Sequence, residues 1–198
     1  HGGVLQDTHN RIIRDLRISI TDRCNFRCVY CLPETEEAAN FYRPNSTTPN
    51  NSRQANSSPI YPWKPRSQIL TFEEITRVAR VATSLGVNKI RITGGEPLLR
   101  RGVENLVSEI AAIGSIRDLS MTTNGTGFPA LAKCLKEAGL SRVTISLDSL
   151  DRDNFKKITG RDGLTEVLES IRMAKSVGLA PVKLNAVIIR GLNDHEIV

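Results

Sequence analysis

"LRISITDRCNFRCVYC", residues 16–31, places three of the chain's four cysteines within eight positions, directly after an alternating β-branched run. Residues 16–21 read as a strand, so Cys24, Cys28 and Cys31 fall on the loop at its C-terminal end, spaced C-x3-C-x2-C. Three thiols are one too many for a disulfide. A closed zinc site takes four ligands, usually as C-x2-C pairs. Three thiolates hold three irons of a [4Fe–4S] cube and leave the fourth iron open to a small chelating ligand. On spacing alone the zinc alternative stays open, with Cys134 or a histidine as a distant fourth ligand. Cys134 itself reads as a buried structural thiol, on an apolar helix face beside Leu131 and Leu135.

Outward from that loop, the chain alternates strands and helices from residue 70 onward. Thr71 and Glu74 form a capping box, and Phe72, Ile75, Val78, Ala79, Ala82 and Leu85 recur at helical spacing. "KIRITGG" (89–95), "LSMTTNG" (119–125), "RVTISLD" (142–148) and "VKLNAVII" (182–189) read as strands, separated by helices near 102–113, 129–138 and 164–176. Repeated βα units of this length predict an α/β fold with a parallel sheet. A partial (β/α) TIM-like barrel fits better than an open sheet, because the chemically interesting residues cluster at the C-terminal ends of strands. Residue 1 is His and residue 198 closely follows a helix start, so the reading expects a chain truncated at both ends.

Residues 36–69 break the pattern. Between Asn40 and Pro59, fourteen of twenty residues are Asn, Ser, Thr or Pro, too polar to bury, so the segment reads as a disordered or loosely packed insertion. Trp63, flanked by Pro62 and Pro65, is expected to pin its far end to the barrel by packing.

Composition is ordinary for a globular chain: 39% hydrophobic and 24% charged, with net charge +6 and pI near 9.4. No apolar run approaches the ~20 residues of a membrane span, and no signal-peptide core is present. The basic excess is either a solvated surface or a partner carrying phosphates. A nucleotide fits better than nucleic acid, because the basic residues are dispersed and aromatics make up only 5%. Arg17, Arg91 and Lys183 lie on three different predicted strands near a barrel interior, where a cation is costly to desolvate without an anion. One alone is an ion pair with Asp148 or Glu96; three favour a polyanionic ligand. In "ITGGEPLL" (92–99), Gly94 and Gly95 offer close backbone approach and exposed N–H groups, and Glu96 or its neighbouring carbonyls accept from a ligand ammonium. Arg100 and Arg101, just past that turn, read as surface charges.

"CNFRCVYC" resembles the C-x3-C-x-aromatic-C signature of radical S-adenosylmethionine (SAM) enzymes, with Tyr30 as the aromatic, and "GGEP" is similar to that family's GGE motif. Within it, "LRISITDRCNFRCVYC", "NKIRITGGEPLLRR", "TTNG", "ISLDSLD" and "VKLNAVIIRGLNDHEI" resemble the GTP 3′,8-cyclase family of molybdenum cofactor biosynthesis, over nearly the whole chain outside residues 35–68. The resemblance implies that Cys24, Cys28 and Cys31 bind a [4Fe–4S] cluster whose open iron takes SAM. Tyr30, Gly95 and Ser146 contact SAM, and Arg17, Arg91, Thr122 and Lys183 contact GTP. It implies a lyase in which SAM supplies a 5′-deoxyadenosyl radical that takes hydrogen from C3′ of GTP, after which C3′ bonds to C8 of guanine. No side-chain acid or base is implied. A second [4Fe–4S] cluster, bound by C-terminal cysteines in that family, is absent from these residues, so the chain alone is expected to bind cluster and SAM without cyclising GTP. Also expected are an electron donor, no nucleic acid or membrane partner, an optional homodimer, and a cytoplasmic location with the mitochondrial matrix as the eukaryotic variant. Competing readings are a different radical SAM enzyme, such as a peptide-modifying one, and a zinc-stabilised binding module.

Overall fold

The structure, a computed structural model, describes residues 4–31 and 63–197. Five strands form one parallel sheet: β1 (Asp15–Ser19), β2 (Lys89–Thr93), β3 (Asp118–Thr123), β4 (Arg142–Ser146) and β5 (Lys183–Asn185). Each strand pairs with its successor in sequence, giving the order β1-β2-β3-β4-β5. Crossovers between parallel strands are right-handed, so an order that never reverses puts every helix on the same face of the sheet. This is the winding of a barrel, here five strands of it, rather than of a doubly wound open sheet.

The sequence dictates which face the helices cover. Ile18, Ile90, Ile92, Leu119, Met121, Val143 and Ile145 alternate with polar residues along their strands and are buried in one hydrophobic core. Helices α1 (Phe72–Ser84), α2 (Val103–Ala111), α3 (Phe128–Glu137), α4 (Arg152–Thr159) and α5 (Leu164–Ser176) supply the other half of that core, among them Ile75, Leu106, Ile110, Leu135, Phe155 and Val167. Each such side chain contributes about 1.5–3 kcal/mol on burial. The opposite face carries Arg17, Ser19, Arg91, Ser120, Thr122, Thr144, Ser146, Lys183 and Asn185, the inward surface of the incomplete barrel.

The capping box at Thr71 and Glu74 forms as read, both bonds present. Helix α5 matches its expected span. Three details differ. Val78 faces outward at 45% exposure, and Thr76 turns inward instead, donating to Glu109 at 2.7 Å. Cys134 is exposed, because the buried row of α3 is Phe128, Ala132 and Leu135. Strand β5 stops at Asn185, well short of residue 189, because Val187 N–H is captured by the Asp148 carboxylate at 2.8 Å and leaves the ladder. Of the polar insertion, residues 36–62 lie outside the described residues. Its far end is fixed as expected of Trp63: the Arg27 guanidinium lies 5.4 Å from that ring, and Lys64 N–H donates to Asp22 at 2.6 Å.

Candidate active site

The three clustered thiols sit on the loop leaving β1, over the C-terminal edge of the sheet. Cys24 and Cys28 are partly buried against the core, and Cys31 is exposed. Burial raises the Cys24 thiol above its usual range and pushes Cys28 up to about 12; Cys31 lies close enough to raise both, and Cys24 raises Cys28 as well. Neutral thiols here are therefore held against their ionised form, and a metal that takes thiolates supplies the compensating charge. Cys24 Sγ accepts from Phe26 N–H at 3.4 Å and from Asn124 Nδ2 at 3.9 Å. Among the described residues, no three His, Cys, Asp or Glu side chains converge on one ion-sized point. A cubane has no such requirement, since each thiolate meets a different iron at a different corner.

The GGE turn fits against this loop through its backbone. Gly95 N–H donates to Thr21 C=O at 2.7 Å, and Glu96 N–H to Arg23 C=O at 2.7 Å. A Cβ on Gly95 would lie 2.3 Å from the Arg23 carbonyl oxygen, so only glycine allows the two loops to meet. This corrects the sequence reading: the close approach is to the cysteine loop, and the Gly95 amide is engaged by Thr21 rather than exposed. Glu96 is corrected too. It is fully buried and accepts from Thr123 Oγ1 (2.7 Å), Asn124 N–H (2.7 Å) and Leu98 N–H (3.0 Å), so it braces the β2 and β3 exits against each other rather than facing a ligand. Burial pushes its carboxyl up to about 7, against those three bonds, which pull it down.

Tyr30, between Cys28 and Cys31, donates its hydroxyl to Asp148 Oδ2 at 2.7 Å. Asp148 is 5% exposed and lies just beyond β4, close to Ser146 at the strand's end. The ion pair suggested for Asp148 or Glu96 with a strand cation is not formed among the described residues; Asp148 instead clasps the cysteine loop and the segment after β5. Sequence reasoning saw "SLDS" but had no means to pair its aspartate with a tyrosine 118 positions away.

All four residues assigned to the substrate occupy the polar face. Arg17 and Arg91 are direct partners across β1 and β2. Thr122 and Lys183 share the next rung toward the cysteine edge, through Thr144. Among the described residues neither arginine nor Lys183 forms an ion pair. Below them a cavity of about 260 Å³ is lined by Arg17, Arg91, Lys89, Arg142, Asp15 and Asp118, with Leu16, Ile90 and Ser120. Lys89 and Arg142 were missed, although the period of two in "KIRIT" puts Lys89 on the face of Arg91. Arg142 is committed to a two-pronged pair with Asp118. Arg100, read as a surface charge, is structural: its guanidinium donates to Ile20 C=O at 2.6 Å and lies 4.4 Å from the centre of the Phe72 ring.

A singly wound α/β sheet with a thiol trio at its first strand exit and a glycine turn docked beneath it defines a class: barrel proteins that seat a redox cluster at the strand ends. The profile of the Radical SAM superfamily matches residues 18–198, and the chain belongs to that superfamily, whose members use a [4Fe–4S] cluster and SAM. Its curated relatives narrow the kinship. The chain is 48% identical over 194 residues to GTP 3′,8-cyclase of Moorella thermoacetica, covering 98% of this chain and 53% of that protein. It is 46% identical over 191 residues to GTP 3′,8-cyclase of Petrotoga mobilis, covering 96% and 52%. It thus spans about half the length of these relatives. Among solved structures, the FeFe-hydrogenase maturase HydG of Carboxydothermus hydrogenoformans superposes with TM-score 0.60 at 16% identity, over 89% of this chain and 36% of that one. Streptococcus suis SuiB, solved with S-adenosylmethionine, gives 0.59 at 20% identity, over 90% and 34%. These two likenesses are of fold.

Proposed function

We propose that this chain is the radical-generating and triphosphate-gripping part of a GTP 3′,8-cyclase, acting in the first step of molybdenum cofactor synthesis. Cys24, Cys28 and Cys31 hold the [4Fe–4S] cluster, and Tyr30, Gly95 and Ser146 line the SAM site at the same strand edge. When bound, cluster and SAM supply a primary carbon radical able to abstract hydrogen from an unactivated C–H bond. The protein's share is positioning: such a radical attacks whichever bond is nearest, so the substrate has to be fixed by its unreactive end. Arg17, Arg91, Thr122 and Lys183 provide that grip.

The observation that carries this reading is the rung formed by Arg17 and Arg91. Like charges directly opposite on adjacent strands destabilise a sheet. Two arginines kept face to face, with Lys183 on the next rung across the sheet and, among the described residues, no carboxylate paired to any of them, suit a ligand with several negative charges. The names of the relatives point to GTP as that ligand. Cyclisation further requires a holder for the guanine base. The second cluster that serves this purpose in the resembled family has no ligands among these residues, because Cys134 is the only cysteine left over.

Anaerobic equilibrium binding tests the assignment. Arg91→Ala and Lys183→Ala are expected to weaken GTP binding tenfold to a hundredfold each, the effect of losing about 1.5–3 kcal/mol of charge-assisted hydrogen bonding, while SAM binding is retained. Unaltered GTP affinity in both variants would assign the cluster to a different radical SAM reaction.

A further inference from the structure

A polar side chain that reaches the thiol trio from outside the cysteine loop is that of Asn124, in the turn leaving β3. It is 8% exposed, and four contacts fix it. Its backbone N–H donates to Glu96 Oε2 at 2.7 Å. Its Oδ1 accepts from Thr126 N–H at 2.9 Å. Its Nδ2 donates to Asn25 Oδ1 at 2.8 Å and faces Cys24 Sγ at 3.9 Å. The orientation of the amide follows from these neighbours. A backbone N–H can be met only by the oxygen, so the nitrogen, with both its hydrogens, is turned toward the cysteine loop. One hydrogen goes to Asn25, and the other is free to meet the Cys24 sulfur 3.9 Å from the nitrogen.

We propose that Asn124 is a positioning residue that donates an N–H···S hydrogen bond to Cys24 and thereby raises the reduction potential of the cluster that the thiol trio holds. Reduction adds negative charge to a cluster and its ligand sulfurs, so a donor at a ligand sulfur stabilises the reduced form more than the oxidised one. Phe26 N–H, at 3.4 Å, gives Cys24 a second donor of the same kind. Glu96 holds the Asn124 backbone from beneath, so the GGE turn sets the position of the donor without itself touching sulfur. The proposal rests on the cluster reading above; iron and sulfide content of the wild-type chain tests that reading separately.

Asn124→Asp and Asn124→Ser separate the donor from the fold. Both keep an oxygen for Thr126 N–H, and neither offers an N–H to Cys24. Each 198-residue chain is reconstituted anaerobically and assayed for iron and sulfide, and its midpoint potential is read by redox titration of the reduced-cluster electron paramagnetic resonance signal. The expected result is wild-type iron content in Asn124→Ser with a potential shifted negative, and a larger negative shift in Asn124→Asp, whose carboxylate adds a charge beside the sulfur. A wild-type potential in either variant carrying a full cluster would overturn the proposal. Loss of the cluster from both, with the chain still folded by circular dichroism, would overturn it equally, because Asn124 would then build the site rather than set its potential.

Discussion

Glu96 shows how far one buried carboxylate decides the order of the site. Its two oxygens take three hydrogen bonds from the β3 exit and from the turn that follows β2. Replacing it with Gln turns an amide nitrogen toward at least one donor, and an unsatisfied buried polar group costs about 1–3 kcal/mol. Glu96→Gln is therefore expected to lower the urea midpoint by an equivalent amount. The pH dependence has a definite sign. With its carboxyl raised from 4.5 to about 7, the folded chain keeps a proton over that interval which the unfolded chain has released. This contribution to stability is complete below about 4.5 and is lost as pH rises through 7. Denaturant midpoints measured from pH 5 to 8 should fall more steeply for wild type than for Glu96→Gln; parallel profiles would show that Glu96 does not titrate there.

Among the elements, the exits of the first three strands form the structure that presents the thiols. The β1 exit bears the cysteines, and the β2 exit is pressed against it at Gly95. The β3 exit reaches both through Asn124. Gly95→Ala forces its Cβ into the Arg23 carbonyl, a backbone atom that cannot rotate away. Overpacking of this kind costs about 1–3 kcal/mol. The variant is expected to unfold earlier on heating and to take up less iron; full cluster content at wild-type stability would show the junction to be slack. Much of this level was legible in the sequence. The capping box, α5 and the parallel βα succession follow from local chemistry and period. The use of the GGE turn was not legible, because the Gly95 and Glu96 partners lie on loops distant in sequence. Nor was the early end of β5, which is set by Asp148 capturing an amide. Cys134 was misplaced by one helical step, since Leu131 and Leu135 flank it at spacings consistent with either side of the buried row.

For the whole molecule, the two faces of one sheet divide the work. The helix-covered face holds the aliphatic core, and the open face collects cations that cost stability until an anion arrives. Arg17→Ala is accordingly expected to stabilise the ligand-free chain by a few tenths to about 1 kcal/mol, through loss of the like-charge pair with Arg91, while weakening GTP binding. Thermal unfolding with and without nucleotide reads both effects, and a destabilised ligand-free variant would contradict the charge-pair argument. All of this depends on what the thiols hold. Anaerobic reconstitution of the 198-residue chain, followed by iron, acid-labile sulfide and zinc determination, tests it most directly. A cluster seated by Cys24, Cys28 and Cys31 predicts a brown protein with about four iron and four sulfide per chain, lost on Cys28→Ala. Stoichiometric zinc with negligible sulfide would contradict it.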